Sequence, residues 1–275
     1  MTDIQALKTT ANEIRKSIVQ MVSTAKSGHP GGSLSAADIL TVLYFHKMNI
    51  DPANPKNPAR DRFVLSKGHA SPAIYATLGE RGFFSKDILN TFRAYGSILQ
   101  GHPDMKKVPG VDMSTGSLGQ GLSVGNGMAF AAKMSGETYR TYVLLGDGEV
   151  QEGQIWEAAM TAAHHKLDNI CAILDNNNLQ IDGNVDKVKG IEPLDKKWEA
   201  FGWNVIKING HDFCAIIKAF DEAEKVKGKP TIILATTIKG KGVSFMEDAC
   251  EFHGAAPNAD QTEKALRELN DMVIE

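Results

Sequence analysis

The sequence predicts an α/β protein with a doubly wound, mostly parallel sheet and helices on both faces, and three observations carry that prediction. Short apolar runs, Tyr142-Val143-Leu144-Leu145 and Ile170-Cys171-Ala172-Ile173-Leu174, are closed by Gly146-Asp147-Gly148 and Asp175-Asn176-Asn177-Asn178. That is the pattern of strands buried on both faces. Residues 149 to 175 lie between Gly148 and Asn176, room for one crossover helix at 154–165 joining parallel neighbours. The 275 residues contain no Pro/Gly/Ser-rich linker and no shift of composition, so residues 1–275 read as one large domain.

The elements follow in order. Ile4, Leu7, Ala11, Ile14, Ile18 and Val22 recur at helical spacing, and a second helix is expected at 35–46 behind a Ser35 cap. Residues 51–62, rich in Pro and Asn, read as an ordered loop that leads into a strand at 62–65. Helices are expected at 72–81 and 86–95, and then 96–119 shows little periodicity, as functional loops do. The Ala- and Gly-rich stretch 120–134 reads as a helix small enough to pack tightly on the sheet. Strands at 204–208 and 231–237 flank a helix at 215–226 behind His211-Asp212, and a helix at 260–274 closes the chain.

Composition removes several function classes. A net charge of −3 and 42% hydrophobic residues fit a soluble globule with no nucleic-acid partner. No run of ~18 apolar residues and no charged-then-hydrophobic start occurs, so no membrane partner and a cytoplasmic location are expected. Cys171, Cys214 and Cys250 stand in no metal or redox spacing and read as incidental thiols of a reducing compartment.

Ligands of open α/β sheets collect at the carboxyl ends of the strands, which puts Asp147 and Asn177 on one rim. A carboxylate and a carboxamide are hard oxygen donors for Mg²⁺ or Ca²⁺, with phosphates and water completing the shell. Glycines beside Asp147 let a diphosphate approach the backbone closely. Either turn alone is ordinary; in tandem across one crossover they point to a metal-diphosphate site. His29, His69, His102 and His253 form a second set, each in a Gly- or Pro-containing segment rather than on an apolar stripe. Imidazole can donate or accept a proton near neutral pH. His46, His164, His165 and His211 read as structural or solvated, and adjacent His164 and His165 cannot share one helix face.

The Gly-Asp-Gly to Asn-Asn pair resembles the diphosphate-binding motif of thiamine-diphosphate enzymes. Around it, in order, stand Ser27-Gly28-His29-Pro30-Gly31-Gly32, Leu65-Ser66-Lys67-Gly68-His69-Ala70, Gln100-Gly101-His102-Pro103, Thr115-Gly116-Ser117-Leu118-Gly119-Gln120-Gly121, Gly146-Asp147-Gly148-Glu149-Val150-Gln151-Glu152-Gly153 and His253-Gly254-Ala255-Ala256-Pro257. Together they resemble the amino-terminal, diphosphate-binding domain of transketolase, from about Ala25 to Pro257.

The resemblance implies that Asp147, the Asn177 side chain and the Leu179 carbonyl hold a divalent cation, Mg²⁺ with Ca²⁺ or Mn²⁺ as substitutes. It implies that His69, Gly148 and Asn177 contact thiamine diphosphate, and that Gly116, Ser117 and Leu118 lie along it near the aminopyrimidine. His29, His102 and His253 would bond the hydroxyls and carbonyl oxygen of a ketose donor and aldose acceptor and move protons, while Glu152 would sit near a subunit contact. The implied reaction moves a two-carbon ketol unit from a ketose or its phosphate to an aldose or its phosphate. The glutamate that serves the pyrimidine N1′, and most arginines that grip a sugar phosphate, belong to family domains with no matching segment here. They are expected on a partner, a carboxyl-terminal transketolase subunit with the pyrimidine-binding domain, in an α₂β₂ assembly. Whether the substrates are phosphorylated stays open. The α subunit of a 2-oxo-acid dehydrogenase shares the Gly-Asp-Gly to Asn-Asn pair but not the histidine segments. A deoxyxylulose-phosphate synthase is disfavoured by chain length and by Gly101-His102-Pro103-Asp104. A non-catalytic cofactor-binding homologue is opposed by the intact ligands and histidines.

Overall fold

The computed structural model describes residues 2–181 and 183–272. The chain runs α1 (Ile4–Ala25), α2 (Pro30–Ser35), α3 (Ala37–Val42), β1 (Arg62–Leu65), α4 (Ser71–Arg81), α5 (Gln120–Ser135), β2 (Thr141–Gly146), α6 (Gly153–His164) and β3 (Ile170–Asn176). It continues with a small antiparallel pair, β4 (Leu179–Gln180) and β5 (Gly183–Asn184), then α7 (Val185–Lys189), α8 (Leu194–Ala200), β6 (Asn204–Asn209), α9 (Phe213–Lys225), β7 (Thr231–Thr236) and α10 (Ala259–Asp271).

Five strands form one parallel sheet in the order β1-β2-β3-β7-β6. The central strands β2, β3 and β7 have no polar face, and their alternate residues enter two different cores. Tyr142, Leu144, Cys171, Ile173, Ile233 and Ala235 pack with α1, α3, α4 and α9. Val143, Leu145, Ala172, Leu174, Ile232 and Leu234 pack on the other side with α5, α6 and α8. Each fully buried Leu, Ile or Val contributes roughly 1.5–3 kcal/mol, so a sheet covered on both faces follows from the unbroken apolar runs. The small residues of α5 let it lie directly on the sheet: a Cβ at Gly125 would stand 2.5 Å from Val143 Cγ2. Asp212 caps α9 by accepting the Ala215 N–H at 3.1 Å. Register sets Gly146 beside Asp175 and Asn176 beside Thr236, so the polar turns after β1, β2, β3 and β7 share one edge.

Three stretches depart from expectation. The helix expected at 35–46 is two short helices broken at Ala36 and continued by a wider π turn, Leu43–Lys47. Ser35 does not cap it. Its hydroxyl is buried and donates to the Asp175 carboxylate at 2.5 Å, with the Gly32 carbonyl 3.2 Å away, and the helical path starts earlier, with Pro30 in its first turn. The helix expected at 86–95 is a 3₁₀ segment, Lys86–Thr91; Arg93 takes φ 60° and its N–H turns to the Leu99 carbonyl at 2.8 Å, which ends it. Between β3 and β6 no element was expected, yet β4, β5, α7 and α8 form there, α8 burying Trp198 against Trp156 and Trp203. The expected helix end at Ile274 lies outside the described residues. Among the described residues no helix is long and apolar enough to cross a membrane, and Cys171, Cys214 and Cys250 are unpaired.

Candidate functional site

A cleft of about 350 Å³ opens at the carboxyl edge of the sheet. His29, His69, Gly116, Leu118, Asp147, Gly148, Asn177, Leu179 and His253, all singled out in the sequence, line it. His102 borders it through Gly116: φ at this glycine is 147°, and a Cβ would stand 2.9 Å from the His102 ring. Only glycine meets both demands. Ser117 is exposed and does not line the cleft. Glu152 lies at its exposed rim, at the start of α6.

Asp147 directly follows β2, is 3% exposed, and accepts the Gly148 N–H on Oδ1 at 2.8 Å and the Asn178 N–H on Oδ2. Those bonds tie the two polar turns to each other. A carboxylate offers about four lone-pair directions, so each Asp147 oxygen still has one free. Asn177 Oδ1 accepts the Leu179 N–H at 3.2 Å. Among the described residues no group of three or more His, Cys, Asp or Glu could hold a metal ion. A cation here would draw on one carboxylate and neutral oxygens, which suits a hard ion completed by phosphate and water rather than zinc. Burial and the nearby Asp175 carboxylate push Asp147 up to about 6. A bound cation would offset both effects. The Gly148 N–H, being spent on Asp147, is not a free donor, so Gly148 contributes closeness rather than a hydrogen bond.

Two lysines complete the cleft. Lys67, after β1, is 2% exposed and donates to the Asp175 carboxylate and to the Gly32 carbonyl, the latter at 2.7 Å. Asp175 also accepts the hydroxyls of Ser35 and Thr237. Lys239, after β7, is 1% exposed; its Nζ meets the Leu179 carbonyl at 3.0 Å and His253 Nδ1 at 2.9 Å. Burial lowers Lys239 to about 8, against the pull of the Asp147 charge. Glu149 is 3% exposed and accepts from Ser66 Oγ and from the Gly119 and Gly146 N–H groups, bracing three loops from beneath. Sequence reasoning left Lys67, Lys239, Asp175 and Glu149 without roles. One signal was present: lysines just past apolar strands, next to glycine, on the edge that already carried Asp147.

His29, His69 and His253 form a triangle with ring centroids 5.2, 5.3 and 5.5 Å apart. Burial, then Arg93, His102 and Lys239, lower His29 to about 4. Burial, then Lys67 and the neighbouring imidazoles, hold His69 down to about 2. Burial, Lys239 and His29 lower His253 to about 3, and burial with Arg93 lowers His102. All four rings are neutral at pH 7 and can accept or donate one proton each. His29 Nδ1 and Arg93 Nε are buried without a partner, unspent capacity of the kind that a polyhydroxyl or anionic ligand fills. Of the histidines read as structural, His164 and His165 pack edge to face at 4.9 Å, His165 standing past the end of α6.

A wall of neutral imidazoles beside two lysines and a hard-oxygen set suits a phosphorylated ligand whose far end is hydrogen-bonded. Residues 6–270 match the family described as transketolase, thiamine diphosphate binding domain. The chain is 46% identical over 270 residues to one subunit of the apulose-4-phosphate transketolase of Phocaeicola vulgatus, covering 98% of this chain and 96% of that protein. It is 46% identical over 259 residues to the 6-deoxy-6-sulfo-D-fructose transketolase subunit SqwG of a Clostridium species, covering 94% of each. Among solved structures, the transketolase of Campylobacter jejuni superposes with a TM-score of 0.93 at 38% identity, covering 100% of this chain and 44% of that one. The chain thus spans less than half of that solved enzyme. With the match running from its first helix to its last, this chain belongs to the transketolase thiamine diphosphate binding domain family.

Proposed function

We propose that this chain is the amino-terminal subunit of a two-chain transketolase, dependent on thiamine diphosphate and Mg²⁺, that moves a two-carbon ketol unit from a ketose to an aldose. The observation that carries the reading is the shared edge on which the Asp147, Asn177 and Leu179 oxygens stand beside the His29–His69–His253 triangle. When bound, thiamine diphosphate supplies the electron sink for carbon–carbon cleavage. Asp147, Asn177 and the Leu179 carbonyl hold the cation. Lys239 and His69 hold the diphosphate end. His29, His102 and His253, kept neutral by burial and nearby cations, bind sugar hydroxyls and pass protons at the reacting oxygens.

Gly116 and Leu118 form the wall along the cofactor, with Ser117 outside it. Residues 1–275 act as one diphosphate-binding domain, and the pyrimidine-binding and carboxyl-terminal domains lie on the partner chain. Relatives of the same span are named as single subunits of a transketolase, which supports that division. The assembly is α₂β₂, with Glu152 at its border, and its location is the cytoplasm, to which three unpaired cysteines are suited. Two relatives are named for a sugar phosphate and a sulfo sugar, so sugars with an anionic end are the first substrates to try.

The test mixes the purified chain with its partner subunit, Mg²⁺ and thiamine diphosphate. Ketol transfer should require both chains, and light scattering after size exclusion should show a heterotetramer joined by obligate-type interfaces above ~2,000 Å². Robust transfer by this chain alone, or none by the mixture with any sugar or sugar phosphate, would overturn the reading.

A further inference from the structure

Behind the cleft, lining none of it, lies a buried cluster formed by Arg15 on α1, Asp38 on α3 and His211 after β6. Arg15 and Asp38 are 6% and 3% exposed. The Arg15 guanidinium donates from Nη1 and Nη2 to the two Asp38 oxygens at 2.9 and 2.7 Å. His211 Nδ1 meets Asp38 Oδ2 at 2.7 Å, and His211 Nε2 lies 2.9 Å from the Ile238 N–H. A backbone N–H can only donate, so Nε2 accepts and the ring proton is on Nδ1, facing Asp38. Burial pushes Asp38 up, yet Arg15 and the His211 hydrogen bond outweigh it and hold the carboxyl below its usual range.

The cluster grips one short segment at both ends. His211 takes the Ile238 N–H, and Arg15 Nε donates to the Lys241 carbonyl at 3.1 Å. Between them the Gly240 N–H donates to the Gly31 carbonyl at 3.0 Å. The residue enclosed is Lys239, whose Nζ is held at Leu179 and His253. A lysine side chain is long, flexible and strongly hydrated, so its ammonium keeps one place in a dry cleft only if its backbone is fixed. A buried ion pair is seldom worth its desolvation cost as stability alone; orienting a segment is the use that this geometry offers.

We propose that Arg15, Asp38 and His211 are positioning residues for Lys239: they fix the backbone from Ile238 to Lys241 and so set where the ammonium meets the diphosphate. The inference rests on the functional reading above, and a double-mutant cycle separates the two. The complex with the partner subunit is titrated calorimetrically with thiamine diphosphate in saturating Mg²⁺, for the parent, His211→Phe, Lys239→Met and the pair. In parallel, the rate at which acetic anhydride modifies Lys239 is followed by mass spectrometry.

His211→Phe should weaken binding about tenfold, a hydrogen bond to a critical segment being worth that much, and should speed Lys239 acetylation. The double variant should bind no more weakly than Lys239→Met, because both changes act through one ammonium. Losses that add, or unchanged acetylation, would overturn the positioning role. If the parent binds and Lys239→Met binds equally well, this proposal and the Lys239 contact to the diphosphate fall while the rest of the functional reading stands; if the parent does not bind, both fall. Should His211→Phe not fold, His211→Gln and His211→Asn decide. Glutamine carries an acceptor to the Nε2 position and should stay within about threefold of the parent, whereas asparagine serves only Asp38 and should not. The reverse order would sink the proposal.

Discussion

Lys239 Nζ lies 3.0 Å from the carbonyl oxygen of Leu179, one of the three oxygens that sequence resemblance assigns to a divalent cation. An ammonium and a cation at one oxygen repel each other. Lys239→Met should therefore tighten Mn²⁺ binding to the cofactor-free complex, followed by electron paramagnetic resonance, while weakening thiamine diphosphate. Unchanged Mn²⁺ affinity would place the metal elsewhere.

Asp147 tests the metal from the other side. Asp147→Ala should abolish Mg²⁺-dependent tightening of thiamine diphosphate binding. It should also cost about 1–3 kcal/mol of stability, since the Asn178 N–H then loses its buried acceptor. The sequence alone suggested a rim residue; a 3% exposed carboxylate with two backbone partners makes the residue structural as well. EDTA that still weakens the cofactor in this variant would remove Asp147 from the ligand set.

The histidines should divide by position. His102→Ala should leave cofactor affinity nearly intact and lower kcat/KM by the equivalent of roughly 2–5 kcal/mol, as expected for a proton donor in the transition state. His69→Ala should weaken the cofactor first. His253→Ala should do both, because its Nδ1 also holds Lys239. Equal losses of cofactor affinity in all three variants would refute the division.

Acid should unfold the protein partly through His29. Its folded pKa of about 4 lies below the 6.5 expected unfolded. Between those values the unfolded chain binds a proton that the folded one refuses, so stability present above pH 6.5 is lost as pH falls toward 4. His29→Gln lacks that titration. Its Tm should fall less than the parent's between pH 7 and 4.5, measured by calorimetry on the cofactor-free chain; parallel curves would remove His29 from the cause.

The sheet was legible because β2 and β3 carry unbroken apolar runs closed by Gly, Asp and Asn, a local pattern that needs no tertiary information. The same closure put Asp147 and Asn177 on one edge, and the motif around each histidine led to the triangle. Lys239 left only the faint signal of a lysine just past an apolar strand: in Ile238-Lys239-Gly240-Lys241-Gly242 it reads like a solvated turn, and the pairing of β7 beside β3 is what brings it to Leu179. Ser35 failed for the opposite reason. Its local setting matches a helix cap, and a carboxylate 140 residues away claims the hydroxyl. Arg15, on a helix stripe of apolar residues, gave no hint of Asp38, since ion pairs between distant segments leave no periodicity.

The buried charges of the cleft do not balance. By formal charge, Lys67 and Lys239 stand against Asp147, Glu149 and Asp175, one negative charge in excess. A diphosphate arriving alone would deepen that excess, and a divalent ion arriving alone would reverse its sign; arriving together, the two largely neutralise each other. Metal and cofactor should thus be thermodynamically coupled guests, each raising the other's affinity by the same factor. The occupied cleft then becomes a two-component lock that stays open in a cell short of either one.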